Sequence, residues 1–476
     1  MTSFLIALVV LVGGYFIYGQ MVERWFGAEP ERETPAITME DGVDFVPLRS
    51  WYKIFLIQFL NIAGLGPIFG AIMGALYGPA AFLWIVFGCI FAGAVHDYFS
   101  GMLSIRHQGK SIPEVVGDYL GEGARMFMRG FSVILLTLVG VVFMMGPAGL
   151  LANLGGQGIL ANTSFWLAII LAYYFIATIL PVDKLIARVY PLFGAALLIM
   201  AVGVGGMMLI NGLPIPDVGA DISHPGGLSA WPMLFTTIAC GAISGFHATQ
   251  SPLMARCVPN ERQGRPIFYG AMIAEGIVAL IWAAAAMSFF PNGVEGLSEV
   301  LSRGGAGLAV KEISVGLMGT FGGLLAILGV IACPVTSGDT AFRSVRLIFA
   351  DAMGIEQSSI RNRLMLAIPV FAVGFALTFI DFNIIWRYFA FSNQALATVV
   401  LWASAVYMVS QQKSHWFVSL PATFMTAVCV TYIMMAPEGL SLSSAISYPT
   451  GAGAAAACMV FFLARTRSQM TSRPAV

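Results

Sequence analysis

Apolar runs of about 20 residues recur along the whole of this sequence, and short segments holding most of the charged residues separate them. A helix needs about 20 mostly apolar residues to cross roughly 30 Å of hydrocarbon, so each run predicts a membrane-spanning helix. The sequence therefore predicts an all-α polytopic membrane protein with about 13 transmembrane helices. The predicted spans are 3–20, 53–77, 79–106, 126–150, 164–180, 189–211, 231–256, 266–290, 312–336, 364–381, 384–410, 416–436 and 444–464.

The composition fits a lipid environment and excludes several other classes of protein. Of the 476 residues, 58% are hydrophobic and 10% are charged, whereas soluble domains carry about 25% charged residues on surfaces that face water. The 24 basic residues balance the 24 acidic ones, so no nucleic-acid partner is expected. The six cysteines include no Cys-x-x-Cys pair, so their spacing predicts neither a disulfide framework nor a zinc site.

The basic residues predict the orientation of the chain, because loops rich in Lys and Arg stay in the cytoplasm. With the N-terminus placed outside, all but three of the 24 basic residues lie in cytoplasmic segments. The exceptions are Arg303, Lys311 and Arg387. The sequence thus predicts a multi-pass protein of the inner or plasma membrane with an external N-terminus, a cytoplasmic C-terminus and an odd number of helices.

Two of the predicted helices carry glycine and proline in the middle of the membrane. The first of these stretches is 61–67, Asn-Ile-Ala-Gly-Leu-Gly-Pro, and the second is 241–252, which ends in Ser-Pro. Proline removes a backbone donor and glycine relaxes the chain, so both stretches predict an interrupted helix. Backbone freed at this depth must be satisfied by protein, water or a ligand.

The two interrupted helices run in opposite directions on the predicted topology, and five helices separate their starts. This is the pattern of an inverted repeat whose discontinuous helices form a binding site at the midplane, as in secondary transporters. The alternative is that these glycines only permit close helix packing. The predicted divisions are 1–52, an N-terminal helix and cytoplasmic linker; 53–211, a first repeat of five helices; 212–230, an external connection; 231–410, a second repeat of five helices; and 411–476, two C-terminal helices and a cytoplasmic tail.

Polar side chains and glycines at the two interruptions are the predicted substrate-binding residues. The neutral hydrogen-bonding groups of the second stretch lie beside a histidine, and the glycines of the first allow close approach of a solute to the backbone. The residues are Asn61, Gly64, Gly66, Ser244, His247, Gln250 and Ser251.

Ionisable residues inside predicted spans are candidates for ion coupling, because charge is costly in hydrocarbon. His96 and Asp97 are adjacent, which favours either a proton-handling pair or a packing pair near the inner interface. Glu275 lies two to three turns inside its span and needs a partner or a wet cavity.

A second group follows the apolar run that ends near residue 336. The hydroxyls of Thr336 and Ser337 suit a hard cation such as sodium, which prefers oxygen ligands. Asp339 could carry a proton, or it could cap a helix and pair with Arg343. The coupling ion is therefore expected to be H⁺ or Na⁺, with no other cofactor.

Several longer motifs resemble the carbon starvation protein A family. They are the stretches 61–68, 93–100, 109–114, 244–251 and 336–343. The resemblance covers roughly 53–410 and implies a bacterial inner-membrane transporter linked to peptide uptake during carbon limitation, with relatives that take up pyruvate with protons. It also implies a LeuT-like fold of five plus five inverted helices, in the shorter form of the family.

The same resemblance implies a position for a coupling ion. Thr336 and Ser337 would stand where such folds often hold sodium, together with backbone near Ala63 and Gly66. Asp339 lies close to this position, which leaves the choice between sodium and a proton open.

Other classes of function are weaker alternatives. Ser337-Gly338-Asp339 resembles part of an intramembrane protease motif, but its partner glycine is missing. The sequence contains no G-x-x-x-x-G-K-[ST] loop and no filter-like repeat, which argues against an ATP-driven pump and a channel. A non-transporting membrane sensor or channel-like protein that responds to the same nutrients remains the alternative. The expectation is a transporter and not an enzyme, whose partners are a small solute and the bilayer; the sequence carries no sign of an oligomeric state.

Overall fold

The computed structural model describes residues 1–42, 45–179, 183–220, 222–355 and 359–471, and within these ranges the chain forms helices and no strands. The helices are α1 (Thr2–Phe26), α2 (Trp51–Ile62), α3 (Gly66–Tyr77), α4 (Ala80–Arg106), α5 (Ile112–Leu120), α6 (Glu122–Leu154), α7 (Thr163–Ile179), α8 (Asp183–Ile210), α9 (Ala230–Thr237), α10 (Gly245–Ala255), α11 (Glu261–Phe289), α12 (Val294–Ala350), α13 (Ile360–Leu377), α14 (Phe382–Ser410), α15 (Trp416–Met435) and α16 (Ser444–Thr471).

The membrane class is confirmed by the length and apolarity of these helices. In the described part of the chain, ten helices are long and apolar enough to cross a membrane, or eleven if α2 and α3 count as one bent span. The remaining predicted spans correspond to α7, which is apolar but shorter, and to the pair α9 and α10, which a non-helical segment separates.

The predicted end of one span is wrong. The sequence predicts a span over 312–336, but α12, which is kinked at the non-helical glycines 304, 305 and 319, continues helically past Thr336 to Ala350. Pro334 follows directly on a π-helical segment, Ile327–Ala332, and the chain stays helical through it. Thr336, Ser337 and Asp339 therefore lie inside a helix, and Asp339 is not a cap.

Helices α10 and α11 lie in the interior of the bundle. Helix α10 packs against α2, α4 and α14, and α11 packs against α1, α3 and α8. Small residues permit these close approaches, as in the run from Ala283 to Ala286 of α11, where every side chain is buried. In contrast, α1 exposes Ile6, Val9 and Ile17 on its outer face, where lipid would cover them.

An ion pair joins three distant segments at one end of the bundle. Arg106, at the end of α4, contacts Glu261 of α11 through two nitrogens, each 2.8 Å from a carboxylate oxygen. The same guanidinium donates to the carbonyl of Gly27 at 2.9 Å and stacks over the ring of Phe26. This contact fixes the segment after α1 against α4 and α11.

Candidate functional site

The first interruption lies between Ile62 and Gly66. Helices α2 and α3 are bent by 51° to each other at this point. Ala63 has φ −83° and ψ 44°, which is outside the helical region. Pro67 stands in the first turn of α3, where its missing N–H leaves no partner unsatisfied. The interruption predicted from the glycines and the proline is therefore present.

The second interruption is the segment between α9 and α10. Side chains of neighbouring helices bind the backbone near it, as membrane burial requires. The indole of Trp84 donates to the carbonyl of Ile238 at 2.9 Å, and the amide of Gln394 donates to the carbonyl of Phe235 at 3.0 Å.

This second interruption lies earlier in the chain than predicted. It covers 238–244, so Ser244 lies at its end, while His247, Gln250 and Ser251 lie in α10. Pro252 was expected to belong to the interruption, yet it lies within α10. The glycines and Ser244 therefore mark the interruption, and the proline does not.

The two interruptions touch each other. A β-carbon on Gly66 would overlap both the Cβ and the Sγ of Cys240, so only glycine fits at this contact. Gly64 is equally confined, because a β-carbon there would come within 2.7 Å of the ring of Phe143. These glycines act first as packing residues that bring the interrupted segments together.

Asn393 of α14 holds the start of α10 in place. Its Oδ1 accepts from the hydroxyl of Ser244 at 2.7 Å and from the backbone N–H of Phe246 at 2.9 Å. Its Nδ2 donates to the carbonyl of Phe389 at 2.9 Å. Asn393 is not among the site residues predicted from the sequence, although an Asn-Gln pair within an apolar span was a usable signal.

Four buried ionisable side chains near the second interruption contact one another in a row. One carboxylate oxygen of Asp97 lies 2.8 Å from His96 Nδ1, and the other lies 2.8 Å from His247 Nδ1. The Nε2 of His247 lies 3.4 Å from Glu275 Oε2. All four side chains are fully buried. The structure thus adds His247 and Glu275 to the predicted pair of His96 and Asp97.

Several polar atoms of these four side chains lack hydrogen-bond partners among the described residues. They are both carboxylate oxygens of Glu275 and the Nε2 atoms of His96 and His247. Cys240 lies beside His247 and Glu275: one possible ligand atom of each of these three residues lies within 4.8 Å of the others. The sulfur donates a weak hydrogen bond of 3.5 Å to the hydroxyl of Ser244.

The predicted sodium position lies against the first interruption. The hydroxyl of Ser337 is 3.4 Å from the carbonyl of Leu60, in the last turn of α2. Cys333 points its sulfur at the carbonyls of Leu60 and Ala63, at 3.6 and 3.8 Å. Thr336 donates its hydroxyl to the carbonyl of Cys333 within its own helix, at 2.7 Å. Ser337 and Cys333 therefore lie against the end of α2, where the first interruption begins.

Asp339 pairs with Arg343, as one of the alternatives predicted. The two groups are 3.3 Å apart across one helical turn, and Asp339 is almost completely buried.

The remaining predicted residues are buried near these groups. Ser251 lies within 3.5 Å of the Gln58 amide and donates to the carbonyl of His247 at 3.0 Å. Gln250 donates to the hydroxyl of Thr249 at 3.0 Å, and Asn61 is buried at the end of α2. All the predicted substrate-binding side chains are closed off from solvent in this conformation.

Comparison with known proteins finds relatives that are named as a membrane protein and as transporters. It is 46% identical to an uncharacterized membrane protein of Haemophilus influenzae over 64% of this chain and 95% of that one. It is 26% identical to the peptide transporter CstA of Campylobacter jejuni, over 93% of this chain and 81% of the relative. It is 28% identical to the pyruvate/proton symporter BtsT of Escherichia coli, over 77% of this chain and 59% of the relative.

A solved structure shares the fold. The crystal structure of a manganese transporter from Eremococcus coleocola superposes with a TM-score of 0.52 at 14% identity, over 90% of this chain and 98% of that one. At this identity the likeness concerns the fold alone. The family model described as carbon starvation protein CstA matches residues 1–154, 131–297 and 293–432, nearly the whole sequence. The chain belongs to the carbon starvation protein CstA family.

Proposed function

We propose that this protein is a cation-coupled secondary active transporter that imports small carboxylate-bearing nutrients, namely peptides, pyruvate or both, across the bacterial inner membrane during carbon limitation. The observation that carries the proposal is the contact between two interrupted helices at Gly66 and Cys240. Irregular backbone at membrane depth is tolerated where it lines a site or a cavity. The relatives named as a peptide transporter and a pyruvate/proton symporter support the substrate class.

The proposal includes the arrangement of the spans. About 13 helices cross the membrane, ten of them in two inverted repeats of the LeuT-like kind. The bent pair α2 and α3 opens the repeat 53–211, and the separated pair α9 and α10 opens the repeat 231–410, which supports this assignment. One helix precedes the repeats, and two follow them.

The proposed orientation has the N-terminus outside and the C-terminus in the cytoplasm. Contacts at the N-terminus support it, because Met1 lies against the connection 212–230 that was predicted to be external. Its ammonium group is 2.5 Å from the carbonyl of Ile215 and 3.2 Å from the carboxylate of Asp217.

A carboxylate suits the ends of the interrupted helices. Helices α3 and α10 begin at the interruptions, and a helix N-terminus presents unpaired backbone donors and a partial positive charge. Pyruvate and the C-terminus of a peptide both carry a carboxylate. The proposed binding residues are those predicted from the sequence at and after the two interruptions: Asn61, Gly64, Gly66, Ser244, His247, Gln250 and Ser251.

Two positions are alternatives for the coupling ion. A sodium ion would bind beside the carbonyls of Leu60 and Ala63, with the hydroxyl of Ser337 as a third oxygen. A coupled proton would instead use Asp339, which is buried and has Arg343 as its counterion. A gradient experiment distinguishes them.

The test is uptake of labelled pyruvate and of a labelled dipeptide into proteoliposomes that contain the full chain. A sodium gradient and a pH gradient are imposed in turn. If sodium drives uptake, Ser337→Ala should lower it and weaken its dependence on sodium concentration. If the pH gradient drives uptake, Asp339→Asn should abolish the response.

The matched control is Ser344→Ala, because this hydroxyl donates to a carbonyl of its own helix and lies away from the interruptions. Gradient-driven uptake that is saturable and unchanged in the control supports the proposal. Folded protein that takes up neither solute under either gradient would refute the substrate class.

A further inference from the structure

Three side chains that are distant in sequence converge where the second interruption meets α11. They are Cys240 in the interruption, His247 in α10 and Glu275 in α11, and all are buried. One ligand atom from each lies within 4.8 Å of the others, and His247 Nε2 is 3.4 Å from Glu275 Oε2. Ligand atoms around one tetrahedral metal ion with bonds of about 2.0–2.3 Å are roughly 3.3–3.8 Å apart. The His247–Glu275 pair has this separation, and the sulfur of Cys240 lies within the 4.8 Å limit.

These atoms are poorly satisfied by the protein itself. His247 Nε2 and both oxygens of Glu275 have no hydrogen-bond partner among the residues that the structure describes. Among the same described residues, Glu275 forms a salt bridge with His247, and no lysine or arginine lies within salt-bridge distance of it. A buried carboxylate without a counterion is costly, so something has to supply positive charge at this place.

His247 is oriented so that one particular nitrogen is available. Its Nδ1 lies 2.8 Å from Asp97, and an ionised carboxylate can only accept a hydrogen bond, so Nδ1 carries the proton. In a neutral ring the lone pair is then on Nε2, the nitrogen that lies 3.4 Å from Glu275 Oε2. A carboxylate that fixes the tautomer of a ligating histidine is the usual outer partner in metal sites.

We propose that Cys240, His247 and Glu275 bind a divalent transition-metal ion with the preferences of Zn²⁺, and that Asp97 positions His247 for it. A thiolate and a carboxylate bring two negative charges, which a divalent cation neutralises in the buried site. Thiolate and imidazole ligands select zinc or cobalt over magnesium and calcium, which require oxygen ligands. Three protein ligands leave a fourth position of the tetrahedron open.

The spacing of the cysteines could not predict this site. Zinc signatures in sequences are pairs of ligands close together on one element, whereas these three residues come from an interruption and two helices. The proposal does not depend on which solute the protein transports, because it concerns binding alone. A bound ion would join the interruption to both α10 and α11.

The test uses the full chain, purified in detergent, in which the exposed Cys458 is replaced by serine to remove a surface thiol. The protein is treated with a chelator and dialysed against Zn²⁺, and the bound metal is measured by mass spectrometry. Co²⁺ is then used as a spectroscopic probe. We expect about one ion per chain, the visible absorption of tetrahedral cobalt and a thiolate-to-cobalt charge-transfer band.

Single substitutions in the site have distinct expected effects. Cys240→Ser should remove the charge-transfer band and weaken binding at least about tenfold, and Glu275→Gln should also weaken binding. Asp97→Asn should lower the affinity for the metal by roughly 10–100-fold, because it alters the orientation of His247. The charge-transfer band should stay in place, because none of the three ligands is removed. The matched control is Cys429→Ser, which removes another buried thiol, on α15, and should change nothing.

Two results would overturn the proposal. One is protein that retains no metal above the chelated sample, which would leave protons as the neutralising charge at Glu275. The other is an unchanged charge-transfer band in Cys240→Ser, which would place the ion elsewhere. If Glu275→Gln does not fold, judged by size-exclusion chromatography, Cys240→Ser decides the question, because it exchanges a single atom.

Discussion

Gly66 of the first interruption lies directly against Cys240 of the second, with no room for a β-carbon on the glycine. The contact joins two helices that are far apart in sequence, so the position of each depends on the other. A change on one side should therefore be compensated by a change on the other.

We expect Gly66→Ala to destabilise the protein by about 1–3 kcal/mol, the usual cost of overpacking a tight interior. The melting temperature in detergent measures this effect. Adding Cys240→Gly should restore most of the loss, because it removes the atoms that the new methyl group would meet. Gly206→Ala is the control, since a β-carbon there meets nothing within 4 Å. Equal losses in both glycine variants would contradict the role of the contact.

Asn393 should be essential for the start of α10. Asn393→Ala removes the acceptor for Ser244 and for the backbone N–H of Phe246, and a buried donor left without a partner costs about 1–3 kcal/mol. The melting temperature should fall accordingly. Ser404→Ala, in the same helix, removes a hydroxyl that bonds only its own helix and should have little effect. A stable Asn393→Ala variant would show that water replaces the amide.

The ion pair of Arg106 and Glu261 should contribute strongly to stability, because breaking a buried pair leaves a charge unpaired. Glu261 is fully buried, so Arg106→Ala should cost about 3–5 kcal/mol in unfolding measurements. Arg106→Lys should recover only part of this, since lysine cannot reach both carboxylate oxygens in the same way.

Exposed arginine provides the contrast for that prediction. Arg303 makes ion pairs of 3.9 Å with exposed or half-exposed partners, so Arg303→Ala should change the stability by about 0–1 kcal/mol. The double substitution Arg106→Met with Glu261→Leu should be less destabilising than Arg106→Ala alone. A double variant that is worse than the single one would argue against the buried-charge explanation.

Thiol reactivity should vary with pH at Cys257, beyond the end of α10. Burial raises the pKa of this thiol to about 11, although Val46 and Arg256 act in the opposite direction. The thiolate is the reactive form, so alkylation of Cys257 should keep accelerating up to pH about 11, whereas an ordinary thiol levels off near 9. Peptide mapping after timed alkylation measures this, with glutathione in the same tube as the reference. A plateau near pH 9 would refute the raised pKa.

The interrupted helices could be predicted because their signals are local. Glycine and proline at 61–67 marked the first interruption correctly, and the glycines near 241–245 marked the second. One prediction that depended on a single proline was wrong. Pro252 lies within a helix, because the effect of a proline depends on its place in the hydrogen-bonding pattern and on the surrounding structure.

The convergence of the buried ionisable groups was only half predicted. His96 and Asp97 are neighbours in sequence, so their pairing could be proposed from the residues alone, and Glu275 was recognised as a residue in need of a partner. That Asp97 reaches His247, and that His247 approaches Glu275 and Cys240, follows from the packing of α4, α10 and α11. Asn393 was missed for the same reason, because its partners lie on another helix.

By itself, the sequence determined that the chain crosses a membrane many times, where its helices are interrupted and which family motifs it carries. These are properties of short segments, set by the thickness of the bilayer and the backbone chemistry of glycine and proline. The tertiary structure decided which buried polar groups meet. A charge or an amide in hydrocarbon is stable only beside a partner, and that partner is supplied by a helix that may be anywhere along the chain.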